Sequence, residues 1–278
     1  MLDELFFKGK ANKTSINYIL FSFVLTLIAF VTSLLLFGKN ASIATILITT
    51  ILLMPAVMRL FREEELIVRK EGFRNIIKNH SYIFNIFLML FLGTFLAFFF
   101  LQLIFINKPD LFETAFDYQI NFIESNRDLT SLFTDEILTG NSNLSEASAV
   151  LSLLYKNLLL ILLCFIFSFF YGSGGIFLIV ITASVFSTII LYAMKSSLFF
   201  LPFTIVFTIL FVLLLVPLIT SSISGGILSN AFISERVRKR YFKNVLKDAA
   251  TLFMFSIILA FVLTLIWMII LRIVIPLI

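Results

Sequence analysis

NLLLILLCFIFSFFYGSGGIFLIVITASVFSTIILYAM, residues 157–194, holds two apolar runs joined by Gly172-Ser173-Gly174-Gly175 and contains no charged side chain. A helix needs about 20 apolar residues to cross the hydrocarbon of a bilayer. Lipid offers no partner to unpaired backbone groups, so each run must be helical, and the Gly-rich turn makes the pair a transmembrane hairpin.

Working outward from this hairpin, five further apolar runs appear. The expected spans are 16–37, 41–61, 82–106, 149–171, 174–194, 198–233 and 249–271. The fold class is therefore all-α, a polytopic helical membrane protein of about seven transmembrane helices forming a single integral membrane domain over 1–278. Bulk composition agrees: 60% of residues are hydrophobic, 36 are Phe, and the mean hydropathy is +1.09. A soluble domain is closer to half apolar. The first 15 residues are polar and mildly basic, with no cleavage-like pattern, so the first span reads as a retained signal anchor. Segment 198–233 is too long for one straight span and short for two. Pro202 and Pro217 predict a single kinked span or a broken helix with an interfacial first turn.

Charge sets the expected orientation. None of the 16 carboxylates lies within these spans, and 15 of the 21 Lys and Arg fall at 8–13, 59–78 and 236–247. Basic flanks stay in the cytoplasm, which predicts the N-terminus inside and the C-terminus outside. Cytoplasmic segments are then 62–81 and 234–248. Segment 62–81 reads as a helix continuing from span two, with Gly72 as its break. The outer loop, 107–148, carries eight acids. Asp110 and Glu113 resemble a capping box, and Leu111, Phe112, Ala115, Phe116, Ile120 and Ile123 recur at helical spacing. A second short helix is expected from Asp128 to Gly140. Both read as amphipathic helices on the outer surface.

The side chains present exclude most chemistry. His80 is the only histidine and Cys164 the only cysteine, so neither a His-based metal site nor a Ser-His-Asp triad can be assembled. No catalytic residue, cofactor or metal is expected, and the chain does not read as an enzyme. His80 reads as a solvated interfacial residue, and Cys164 as isolated in lipid. Lys156, about two turns into the fourth span, reads as snorkelling outward, with contact to an anionic ligand or partner as the alternative.

Arg236, Arg238, Lys239, Arg240, Lys243 and Lys247 interleave with Val237, Tyr241, Phe242, Val245 and Leu246. That pattern suits a helix anchored on anionic inner-leaflet lipid, or one contacting a protein partner. Nothing resembles a nucleic-acid recognition module. Thr182, Ala183, Ser184, Ser187 and Thr188, and then Ser221, Ser222, Gly225, Gly226 and Ser229, place small residues at helical spacing. Such faces let helix backbones approach closely; a polar substrate groove is the alternative.

The run KNLLLILLCFIFSFFYGSGGIFLIVITASVFSTIIL resembles the core of the stage II sporulation protein M family, particularly its archaeal-type members. Asn157, Gly172, Gly174 and the pair Ala183-Ser184 occupy the matching places. ISGGILSNAFISERVRKRYFKNVLKDA is similar to the family's Gly-Gly segment and basic stretch before the last span. Met54-Pro55 followed by Phe61-Arg62-Glu63-Glu64-Glu65, and His80 leading into the Gly93-containing span, are similar too. The chain departs from the family at Thr182, where Asn is common, and lacks its carboxylates near the prolines of the last two spans. The resemblance implies a membrane scaffold or assembly partner in a cell membrane, contacting lipid and either other membrane proteins or copies of itself. The alternative, motivated by span six, is a permease-like component for a small or lipidic solute.

Overall fold

The structure is a computed structural model that describes residues 15–71, 76–125, 146–196, 201–234 and 239–274. The described residues form α-helices with short joining turns and no strand. In chain order the helices are α1 (Ser15–Phe37), α2 (Ala41–Glu71), α3 (Ile76–Phe105), α4 (Pro109–Ser125), α5 (Glu146–Tyr171), α6 (Gly175–Ser196), α7 (Leu201–Ser234) and α8 (Lys239–Val274).

Among the described residues, six helical stretches are long and apolar enough to cross a membrane, the first running over 48 residues from Ile16 to Glu63. At 1.5 Å per residue that stretch would be about 72 Å long, more than twice the hydrocarbon thickness. It does not run straight. A 3-10 turn over Gly38–Asn40 joins α1 to α2, Gly38 has φ +50°, and α1 packs against α2. The stretch is a hairpin of two helices, each long enough to be a span of its own.

The bundle is assembled around two hubs. α7 packs against α5, α8, α6 and α2, while α3 packs against α1 and α6. Phenylalanine fills the interior: Phe30, Phe61, Phe87, Phe91, Phe98, Phe116 and Phe186 are fully buried. Phe91, Phe95 and Phe99 follow one another at four-residue spacing along α3, and the Phe95 ring meets Phe186 of α6 at 5.5 Å. In a bilayer such contacts supply the packing that water exclusion would supply elsewhere.

Several expectations change. α7 is one continuous helix: Pro202 falls in its first turn, where a missing N–H costs nothing, and Pro217 lies within it without ending it. α2 continues past the expected span to Glu71, and the predicted break at Gly72 lies outside the described residues. α3 begins before residue 82 and α8 before residue 249, because polar residues extend both helices beyond the apolar runs.

α4 starts at Pro109, placing Asp110 in the first turn, and it kinks at Phe116. It does not lie free on a lipid surface. Ala115, Phe116 and Gln119 are buried, Phe30 and Phe116 stack at 5.8 Å, and Ser42 of α2 donates to Gln119 Oε1 at 2.6 Å. Burial also pushes the Tyr118 phenol above its usual range. The second outer helix, expected at 128–140, lies outside the described residues.

Candidate functional site

The Gly-rich turn of the opening hairpin is one end of a close-packed junction between α5, α6, α7 and α2. Gly172 has φ +68°, a conformation that L side chains resist, and Ser173 N donates to Tyr171 O at 2.7 Å to close the turn. A methyl on Gly175 would collide with Ser222, and one on Gly225 would lie 2.5 Å from the Phe165 carbonyl oxygen. At Gly226 the obstacles are the Phe61 ring and the Gly172 carbonyl. Glycine is required here because neighbouring helices leave no room for a Cβ, whether the obstacle is a carbonyl, as at Gly225, or a side chain, as at Gly175.

Hydroxyls of the same region donate across the helix interfaces. Ser168 Oγ of α5 donates to the Ser222 carbonyl at 2.6 Å, and Ser221 Oγ of α7 donates to the Ile161 carbonyl at 2.7 Å. On the other side of α7, Ser224 Oγ donates to the Ala249 carbonyl at 2.6 Å, while Ser256 Oγ of α8 donates to the Pro217 carbonyl at 2.6 Å. Ser221, Ser222, Ser224 and Ser229 are all buried. Their face is a helix contact, not the wall of a groove.

Residues of the expected family core separate into two groups at different depths. Gly172, Gly174, Gly175, Gly225 and Gly226 meet at the junction around the α5–α6 turn. Asn157 and Thr182 lie together elsewhere, lining a cavity of about 100 Å³ with Ile161, Pro217 and Ala260. Asn157 Nδ2 donates to Thr264 Oγ1 at 3.0 Å, tying α5 to α8. Ala183 and Ser184 join neither group: both are fully buried on α6.

His80 and Cys164 are not where the sequence suggested. His80 is buried, and its Nε2 lies 2.9 Å from Asp248 Oδ2, with only 5% and 3% of the two side chains exposed. The imidazole N–H donates and the carboxylate accepts, linking the starts of α3 and α8 within the packed bundle. A charge-assisted bond offsets the cost of keeping both groups out of water. Cys164 is likewise buried among helices and does not face lipid. Two amide contacts were also missed: Ser42–Gln119, and Gln102 Nε2 of α3 donating to Thr188 Oγ1 of α6 at 2.7 Å. A lone His and a lone Asp, each just ahead of a span, were the available signal for the ion pair. The amide contacts left none, because partner choice depends on helix rotation.

On α8, Lys243 and Lys247 are exposed one turn apart, opposite buried Val245 and Asp248. Phe242 packs edge-on against Phe232 of α7 at 5.1 Å. Lys239 and Arg240 open the helix, while Arg236 and Arg238 lie outside the described residues. Among the described residues no group of three or more His, Cys, Asp or Glu could hold a metal ion.

Among the described residues, the long apolar helices, tied by backbone-directed hydroxyls and close glycine contacts, define a multi-pass α-helical membrane protein. No family model, curated protein or solved structure matches the chain.

Proposed function

We propose that the protein is a non-enzymatic scaffold or assembly partner in a cell membrane, oriented with its N-terminus inside and its C-terminus outside. It would contact lipid, together with other membrane proteins or further copies of itself. One observation carries this reading: three hydroxyls and three glycines at the meeting of α5, α6, α7 and α8 are engaged in holding helices together. Ser221, Ser224 and Ser168 each donate to a neighbouring helix's carbonyl, Gly225 and Gly226 sit against the Phe165 and Gly172 carbonyls, and Gly175 sits against the Ser222 side chain. A transport pathway along this face needs those groups free to meet a solute, and none of them lines the described cavity.

The resemblance of residues 156–191 to the stage II sporulation protein M core supports the same reading. So does the exposure of Lys243 and Lys247, which gives anionic lipid or an acidic partner a contact on the inner face. Affinity purification of the chain from native membrane in a mild detergent, followed by mass spectrometry, tests the proposal. The expected result is stable co-purification of specific membrane or envelope proteins, or a defined homo-oligomer. Repeated recovery of a monomer with no partner would sink it.

A further inference from the structure

We infer that the cavity between α5, α6, α7 and α8 is a binding site for one anionic phospholipid, with Lys156 holding the headgroup phosphate. Lys156 is exposed on α5 although it lies inside the apolar stretch that crosses the membrane. Leu160 stands four residues further on, one turn away on the same face, and forms a wall of the cavity. Leu160 is itself 42% exposed on the bundle surface, so the cavity opens toward lipid. A charge at this depth is costly unless it meets water, a headgroup or a counter-charge. The described residues place no carboxylate against it.

Three chemistries follow one another along α5 in the order in which a phospholipid presents its parts. The Lys156 ammonium suits a phosphate. Asn157, next in sequence, uses one N–H on Thr264 and retains a second N–H and a carbonyl oxygen, which suit the glycerol ester region. Beyond it, Leu160, Ile161, Leu215, Pro217, Leu218 and Ala260 supply the apolar walls of the cavity, whose whole volume, Asn157 and Thr182 included, is about 100 Å³. An apolar cavity of about 150 Å³ holds benzene and stays dry. This one therefore accepts a few carbons of a single acyl or isoprenoid chain and not a headgroup. The orientation proposed above enters only in assigning the lipid to the outer leaflet.

The test uses the full chain in mild detergent with two photoreactive lipids, a phosphatidylglycerol and a phosphatidylcholine, each carrying a diazirine within the first few carbons of one chain, next to the ester. Labelled residues are mapped by mass spectrometry. Labels should fall on 157–161 and 214–218, with phosphatidylglycerol giving about five-fold more than phosphatidylcholine. Lys156→Gln should bring the two lipids level, and Lys243→Gln should leave the ratio at this site unchanged. Ala260→Leu fills the chamber and should abolish labelling by both lipids; Thr182→Leu makes the same test if that variant does not fold. Labels absent from these walls, equal labelling by the two lipids in the unaltered chain, or a ratio indifferent to Lys156→Gln would each overturn the site. Because the protein is labelled alone, failure here is distinguishable from failure to capture partners.

Discussion

Removing one half of the His80–Asp248 pair leaves the other buried without its counterpart, which is the expensive way to break a buried hydrogen-bonded pair. Each side chain is almost wholly enclosed, and the two are 168 residues apart in sequence. Asp248→Ala, or His80→Ala, should cost about 3 kcal/mol or more. Replacing both with Leu should recover much of that loss, because an apolar pair avoids the desolvation penalty altogether. Thermal unfolding of the four proteins in one detergent gives the double-mutant cycle. Small, additive single losses would mean that the pair does not join α3 to α8. The pair also shows why charge segregation in the sequence was only approximate. Asp248 precedes the apolar run by one residue, so it counts as a flank on composition, yet rotation of α8 turns it inward beside buried Val245 and Ala249.

At the level of elements, the glycines of the α5–α6 turn and of α7 do different jobs, and substitution should separate them. Gly172 has room: the nearest atoms to an added methyl are Ser229 Oγ at 3.8 Å and Met58 Cε at 3.9 Å. Its requirement is conformational, so Gly172→Ala should cost about 1 kcal/mol. Gly225 has an ordinary φ but no room, since the Phe165 carbonyl and Ser168 Cβ stand 2.5 and 2.9 Å from the position of a Cβ. Gly225→Val should therefore cost about 3 kcal/mol and weaken the Ser168–Ser222 bond by forcing α5 from α7. Unfolding midpoints of the two variants check the order, and a larger loss at Gly172 would contradict the α5–α7 approach. These glycines also mark what the sequence could and could not convey. Helix identity and span length follow from uninterrupted apolar runs, and small residues at three- and four-residue spacing announce that a close contact exists. The partner of that contact is not local information. Nothing in residues 221–229 specifies that Ser221 faces α5 while Ser224 faces α8. The cavity was invisible for the same reason: Asn157, Thr182, Pro217 and Ala260 come from four helices and meet only after packing.

For the whole molecule, the decisive quantity is the number of crossings, because it sets which polar segments share a side. Counting Ile16–Glu63 as one span would bury Gly38-Lys39-Asn40 in the middle of the bilayer. Counting it as the hairpin formed by α1 and α2 places these residues at a surface, on the same side as Lys108 and opposite Lys243. The hairpin is favoured by the left-handed Gly38, by packing of α1 on α2, and by a length more than twice what a bilayer needs. Single cysteines at Lys39, Lys108 and Lys243, introduced with Cys164→Ser, test it with a membrane-impermeant maleimide on sealed vesicles. Lys39→Cys and Lys108→Cys should label from the outside of right-side-out vesicles, and Lys243→Cys only after permeabilisation. An unreactive Lys39→Cys in both conditions would return the count to six. Labelling of all three in the reverse sense would keep seven crossings and invert the orientation, placing Lys243 and Lys247 on the outer face. The inner-face partner contact would then have to be abandoned, while the lipid site at Lys156 would survive with its leaflet exchanged.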